Sequence, residues 1–255
     1  MHTVNRRSHK GISINLISVR PEVSKGKVHR DDSIAYGRSA AIPPRERGVN
    51  RSSPKMPTLA PDFLDTPRLQ LRRLNASDGL GLFNIFSNAD VARYLSAPPM
   101  VSPADAEKKL GDLMAQYASD SAFQLAVTRN DTGELIGTCT IWNIYLQNRR
   151  GEIGYVLAKP FWGNGYMSEA LAALIDYIFN EKSFHRLEAD IDPRNVPSAT
   201  ILERLGFKRE GLMRERWIVA GEISDSALYG LLASDWRMPA ETHHAMPGNI
   251  THGIT

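Results

Sequence analysis

The stretch "GEIGYVLAKPFWGNGYMSEALAALIDYIF", Gly151–Phe179, sets a strand pattern, a turn with two glycines and a long apolar-periodic segment in direct succession. In its second half Met167, Leu171, Leu174 and Ile178 recur at helical spacing, and Ala170 and Ile175 widen the stripe. The spacing predicts a helix over 165–180, with Gly163 and Gly165 at its mouth. Glycine there admits positive φ and leaves room for a ligand to approach the backbone. The first N–H groups of a helix have no internal partners, and that end of the dipole is positive. Together these features make an anion site; a plain tight turn is the alternative. Each dipole interaction contributes only about 0.3–1 kcal/mol, so several amides must converge to hold a pyrophosphate. Met167 and Ser168 stand where a dinucleotide signature needs a third glycine, and no Gly-Lys-Ser/Thr marks a Walker loop.

Downstream, "HRLEADI" reads as a strand and "NVPSATILERLGF" as a short helix. Gly206 suits the left-handed position after that helix, with Phe207 folding back on Leu202 in a Schellman motif. "FKREGLMRERWIV" and "EISDSALYGLLASDW" form a hairpin across "AGE". Upstream, "RLQLRRL" alternates as a half-buried strand, and "SDGLGLFNIFSNADVARYL" gives two short helices capped by Ser77 and Asn88. "SPADAEKKLGDLMAQYASD" is a longer helix, with Ser102 as cap and Pro103 at the first helical position. "AFQLAVTR" and "ELIGTCTIWNIYL" are strands joined by "NDTG". A run of antiparallel strands followed by strand–helix–strand makes a mixed α/β sheet with a crossover helix after "GEIGYVLAK".

Of the 255 residues 42% are hydrophobic and 23% charged, the balance of a globular chain. The charge is unevenly distributed. Residues 1–57 hold twelve Lys+Arg against four Asp+Glu, and the remainder nineteen against twenty-four. The basic character therefore belongs to the N-terminal segment, and an argument for nucleic acid would rest on that segment alone. Its scattered Pro, Gly, Ser and Arg, clearest in "AIPPRERGVNRSSPKMP", are read as a disordered basic extension. Met56, just ahead of the patterned region, leaves open that translation starts there. Residues 239–255 are read as a flexible tail whose His243, His244 and His252 lack metal-ligand spacing. The lone cysteine, Cys139, excludes an intrachain disulfide and a cysteine-rich metal site, and reads as a buried strand thiol. There is no apolar run of about 18 residues to span a membrane, and no compact secretory signal. The Arg-rich start is weakly similar to a transit peptide; the expected location is the cytoplasm.

Several ordered blocks carry a family resemblance: "GEIGYVL", "PFWGNGYMSEAL", "HRLEADIDPRNVPSATILERLGFKREG" and the closing "LYGLLASDW". From about Asp65 to Trp236 the chain resembles the GNAT acetyltransferase superfamily, within it the RimJ/RimL-type branch that acetylates protein N-terminal amines. The resemblance implies a GNAT domain over 58–238. Its fold would be mixed α/β (α+β), a single mostly antiparallel twisted sheet of about seven strands with a central splay and helices on both faces. It implies acetyl-CoA as co-substrate and no metal. Trp162, Gly163, Asn164, Gly165, Tyr166 and Met167 would cradle the pyrophosphate, mainly through backbone N–H groups. Pro160 stands where the general family pattern has Gln or Arg, as is common in this branch, which leaves position 160 without a side-chain role. Val156, in the strand before the turn, would lie beside the pantetheine arm, and Asn195 would hydrogen-bond that arm; Asn195 also reads as a simple N-cap.

Acetyl transfer to an amine needs a neutral amine, a polarised carbonyl and a proton for the leaving thiolate. The resemblance makes Glu152 the carboxylate that accepts the amine proton, the alternative being a solvent-facing strand glutamate. It makes Ser198 the hydroxyl near the thioester sulfur, the alternative being a capping or core serine. Tyr155 and Tyr166 read as packing aromatics, and His185 as structural. An α-amine with pKa near 7.7–8.0 is about 10–15% neutral at pH 7, a lysine only about once in 2,500, so an N-terminal acceptor demands little of a base. The favoured acceptor is a protein N-terminal α-amine, ribosomal proteins included. A small amine such as a polyamine, amino sugar or antibiotic, and a non-catalytic acyl-CoA-binding module, are the alternatives. No membrane and no direct nucleic-acid contact by the folded domain are expected, in a monomer or homodimer.

Overall fold

The computed structural model describes residues 58–239; the expectations for the N-terminal extension and for the tail from 240 onward lie outside them. The elements run β1 (Phe63–Asp65), β2 (Leu69–Arg73), α1 (Gly79–Phe86), α2 (Ala89–Ala92), α3 (Pro103–Ser119), β3 (Phe123–Arg129), β4 (Leu135–Tyr145), β5 (Arg150–Leu157), α4 (Tyr166–Asp176), β6 (Arg186–Ile191), α5 (Val196–Arg204), β7 (Lys208–Val219) and β8 (Glu222–Leu232). The strands form one eight-stranded sheet in the order β1-β2-β3-β4-β5-β6-β8-β7. Every neighbouring pair is antiparallel except β5 and β6, which α4 connects as a crossover.

Both faces of the sheet are covered. On one, Leu69, Leu71, Leu125 and Val127 pack with Leu171, Leu174 and Ile175 of α4 and Leu202 of α5. On the other, Ala126 meets Leu82 of α1 and Leu110 and Leu113 of α3. Successive strand side chains point to opposite faces, so β3 is buried on both sides, its polar Gln124 and Thr128 included.

Local signals account for most boundaries. Ser102 and Asp105 form a capping box at α3, with Pro103 in the first turn. The Asn88 side chain accepts from the Asp90 and Val91 amides and starts α2. After α5, Gly206 takes φ +88°, the Phe207 amide donates to the Leu202 carbonyl at 3.0 Å and the Gly206 amide to Glu203 at 3.0 Å: a Schellman motif. Ala220 and Gly221, both at positive φ, make the two-residue turn between β7 and β8.

Three expectations are corrected. The sheet has eight strands, not about seven: β1 is a three-residue edge strand, too short to show a period. Ser77 is not a cap. Asn75 forms the capping box with Asp78, and Ser77 lies inside the short 3₁₀ turn Ala76–Asp78 that leads into α1. The helix expected to Asn180 is α-helical only to Asp176, then widens into a π turn over Tyr177–Glu181. Tyr177, Ile178 and Phe179 are all buried along this wider turn.

Gly206→Ala is expected to lower stability by about 1–2 kcal/mol, the cost of a Cβ in left-handed backbone. The added atom would lie 3.5 Å from Leu231 Cδ1, an ordinary contact, so the loss is conformational. Urea unfolding should show a lower midpoint with an unchanged slope.

Candidate active site

The site begins where a ladder stops. β5 and β6 pair only at Arg150↔Arg186, Gly151↔Leu187 and Glu152↔Glu188. Beyond Glu152, β5 remains bound to β4 as far as Leu157, and β6 to β8 as far as Ile191. The facing edges thus diverge, leaving backbone donors and acceptors unmatched along the gap. Both strands point their C-terminal ends the same way, and each leads into a helix, α4 and α5; in open α/β sheets ligands settle outside such ends.

The turn into α4 carries the two glycines. Gly163 has φ +76° and Gly165 φ +75°, and no side chain caps the N-terminus of α4. A Cβ at Gly163 would meet nothing within 4 Å, so the space over the turn is open. The Trp162 indole N–H donates to the Leu157 carbonyl at 2.7 Å, and the Asn164 amide donates to the Phe161 and Trp162 carbonyls at 3.2 and 3.0 Å. These side chains brace the turn and leave its amides to whatever binds there. Met167 is buried, its sulfur 3.7 Å from Cys139 Sγ, so only its backbone can reach a ligand. Tyr166 packs edge-on against Phe161. An anion with several oxygens fits this arrangement.

On the α4/α5 face, the hydroxyls of Tyr155 and buried Ser198 share a hydrogen bond of 2.7 Å. Burial raises the Tyr155 pKa, so its hydroxyl holds its proton. Asn195 caps α5 by accepting from the Ser198 amide at 3.3 Å. Val156 is half-buried on β5 and pairs with Thr138 across to β4.

The opposite face holds the carboxylates. Glu188 is bound by Arg150 at 2.6 Å and Arg186 at 2.9 Å, Asp190 by Arg216 at 3.2 Å and by the Ser226 hydroxyl, and Asp192 by Arg194 at 2.6 Å. Glu152 differs: among the described residues its hydrogen-bond partner is the neutral Asn143 amide, at 2.9 Å, and it forms no ion pair. Asn143 can reach it because β4 bulges between Trp142 and Tyr145, where Asn143 adopts φ +48°. Trp142 lies over Gly154, where a Cβ would fall 2.3 Å from its ring. Burial raises the Glu152 pKa, helped by nearby Asp190 and Glu188 and opposed by the Asn143 hydrogen bond and Arg216.

Glu152, Val156 and the glycine turn thus lie along β5 and its exit, while Ser198, beside Asn195 at the start of α5, meets Tyr155 of the same strand on the other face. His185 is exposed at the start of β6 and joins no part of this cluster. The reading of the residues passed over Trp142 and Asn143, and it took Tyr155 for packing alone. An asparagine interrupting the apolar run "TIWNIYL" was the available signal, since Asn tolerates left-handed backbone better than most residues.

Comparison with known proteins agrees with this geometry. The family model "Acetyltransferase (GNAT) domain" matches residues 68–208. The chain belongs to the GNAT family of N-acetyltransferases. It is 33% identical over 175 residues to an uncharacterized N-acetyltransferase, p20, of Bacillus licheniformis, covering 69% of this chain and 98% of that one. It is 31% identical over 139 residues to the [Ribosomal protein uS5]-alanine N-acetyltransferase of Escherichia coli, covering 52% and 70%. Mycobacterium smegmatis RimJ, solved in complex with CoA-disulfide, superposes with a TM-score of 0.63 at 25% identity, covering 70% of this chain and 91% of that one.

A carboxyl with a raised pKa in the native chain binds its proton more tightly when folded. Its contribution favours the fold below the unfolded pKa of about 4.3 and is lost as pH rises through the folded value. Glu152→Gln, which keeps an acceptor for Asn143, is therefore expected to raise the melting temperature at pH 7. The gain should shrink as pH falls through the folded value and be gone below about 4. Thermal unfolding across pH 3.5–8 checks this, and a gain independent of pH would contradict it.

Proposed function

We propose that this N-acetyltransferase moves the acetyl group of acetyl-CoA to a protein N-terminal α-amine. The observation that carries the reading is the divergence of β5 from β6 with an uncapped, glycine-led helix N-terminus at its open end. A strand edge without a partner suits the amides of a pantetheine arm, and the free amides from Gly163 to Met167 suit a pyrophosphate. In this reading Val156 pairs with the arm through its backbone, Asn195 binds the arm while capping α5, and Trp162, Asn164 and Tyr166 hold the turn in shape.

The reaction then needs three things of the chain. Glu152 takes a proton from the incoming ammonium, directly or through water, freeing the nitrogen lone pair. The amine adds to the thioester carbonyl; the new N–C bond forms and the C–S bond breaks. The nitrogen's second proton passes to solvent, and the departing thiolate receives a proton from the Ser198 hydroxyl, which regains one from Tyr155, and Tyr155 in turn from solvent. Tyr155 keeps its proton at neutral pH and so can supply it. An α-amine is already partly neutral, which suits a single unpaired carboxylate as the base. The uS5-alanine N-acetyltransferase among the relatives supports the same acceptor class.

Thiol release should be measured with an alanine-started peptide, its N-blocked lysine-containing form, a polyamine and an amino sugar. Release with the free N-terminus alone is the expected result. Release only with a small amine would reassign the acceptor, and CoA binding without release for any amine would refute turnover. Glu152→Gln should lower kcat for the peptide by about a hundredfold, near the lower end for a lost general base, with CoA affinity unchanged. Gly163→Val, judged folded by its melting temperature, should weaken CoA binding at least tenfold, because its side chain occupies the open space over the turn.

A further inference from the structure

An acidic residue sits in an awkward place. Glu169 lies in the first turn of α4, the helix end assigned to a pyrophosphate, and its side chain is only 9% exposed. A carboxylate there favours the helix itself but repels a second anion. The β1–β2 connection, 101 residues earlier, supplies the compensation. The Thr66 hydroxyl and the Arg68 amide donate to Glu169 Oε1 at 2.6 and 2.9 Å, and Arg68 Nε donates to Oε2 at 2.6 Å.

The same guanidinium reaches the turn. Arg68 Nη1 donates to the Asn164 carbonyl at 3.0 Å, its Cζ lies 4.5 Å from the centre of the Tyr166 ring, and Nη2 lies 3.5 Å from where a Cβ of Gly165 would be. The peptide bond is planar and trans, so fixing the Asn164 carbonyl toward Arg68 turns the Gly165 N–H the opposite way. That amide then faces away from the brace. Arg68 is 47% exposed and retains donors beyond those it uses.

We propose that Arg68 is a positioning residue for the donor's pyrophosphate: it cancels the charge of Glu169 and sets the Asn164–Gly165 peptide so that the turn's amides face the phosphates. This rests on the acetyl-CoA site proposed above. The test compares wild type with Arg68→Ala, Arg68→Lys, Glu169→Gln and the Arg68→Ala/Glu169→Gln pair. Calorimetry gives the dissociation constant for CoA. Initial rates with S-acetylpantetheine, which lacks the pyrophosphate and nucleotide, give a donor blind to the turn.

Arg68→Ala should weaken CoA about tenfold or more, leaving kcat and the KM for S-acetylpantetheine unchanged. Arg68→Lys, which keeps the charge but not the forked hold on two partners, should recover part of the loss. The double variant should bind CoA more tightly than Arg68→Ala, since the uncompensated carboxylate is gone. Equal losses with both donors, or a double variant weaker than the single, would reduce Arg68 to a structural brace and overturn the proposal. If Arg68→Ala fails to fold, Arg68→Lys must show the same donor-selective loss, and a loss shared by both donors counts against the proposal. Loss of CoA affinity in Gly163→Val but not in Arg68→Ala refutes the role of Arg68 alone; unchanged affinity in both refutes the CoA site itself.

Discussion

The structure turns on a parallel ladder that holds for three residues and then opens. β5 and β6 are each committed elsewhere, β5 to β4 and β6 to β8, so neither can swing across to close the gap without surrendering a longer set of hydrogen bonds. The bulge in β4 lies opposite the paired segment of β5, between the partners of Glu152 and Arg150. Bulges sharpen local twist, and twist at that point carries the rest of β5 away from β6. The unmatched backbone that results would be a liability on an outer edge, where it invites another strand. In the middle of the sheet, flanked by two helix N-termini, it becomes a slot for a ligand with amides of its own.

The same bulge places Asn143 against Glu152, so one irregularity serves both the opening and the proposed base. The surrounding carboxylates show what this costs. Glu188, Asp190 and Asp192 are each held by an arginine, whereas Glu152 is left half-buried with a neutral amide. A cation beside Glu152 would steady the fold and hold the carboxylate ionised, too weak a base for an ammonium. Leaving it unpaired gives up stability at neutral pH in exchange for a raised pKa, the usual trade at a proton-transfer site.

Much of the fold was legible because its signals are local. The stripe of α4, the turn glycines, the Schellman ending of α5 and the β7–β8 hairpin each sit within a few consecutive residues. The proposed donor turn was readable for the same reason: it consists of one turn's backbone, and glycine announces where positive φ is needed. The features that escaped are those where distant segments decide. β1 is a strand only because β2 pairs with it, and no local signal in Tyr177–Glu181 marks the wider turn. The Tyr155 hydroxyl gains a partner only once α5 brings Ser198 against it, and Arg68 pairs with Glu169 across 101 residues of sequence. The cap at α1 failed differently: Asn75 and Ser77 both bear capping side chains, and short-range pattern could not choose between them.

This difference in legibility follows from how the two sides of the slot are made. In the proposed reading Gly163 to Met167 recognise by main chain, so their chemistry depends on φ and on freedom from capping. The other face is assembled from β4, β5, β6, β7 and β8 together. Asp190 on β6 accepts from Ser226 on β8 and pairs with Arg216 on β7, and the Trp217 indole N–H donates to that same Ser226 at 3.3 Å. Arg216 reaches Asp190 from a break in the β7–β8 register between Met213 and Trp217, where Glu215 takes positive φ and its amide donates to Asp225 at 2.8 Å. A change anywhere in that bulge would move Arg216, and with it a positive charge that lowers the Glu152 pKa. The proposed base is thus tied to the exposed hairpin rather than to the donor turn. In the proposed reading, donor binding can then stay constant while the hairpin tunes the proton affinity of Glu152.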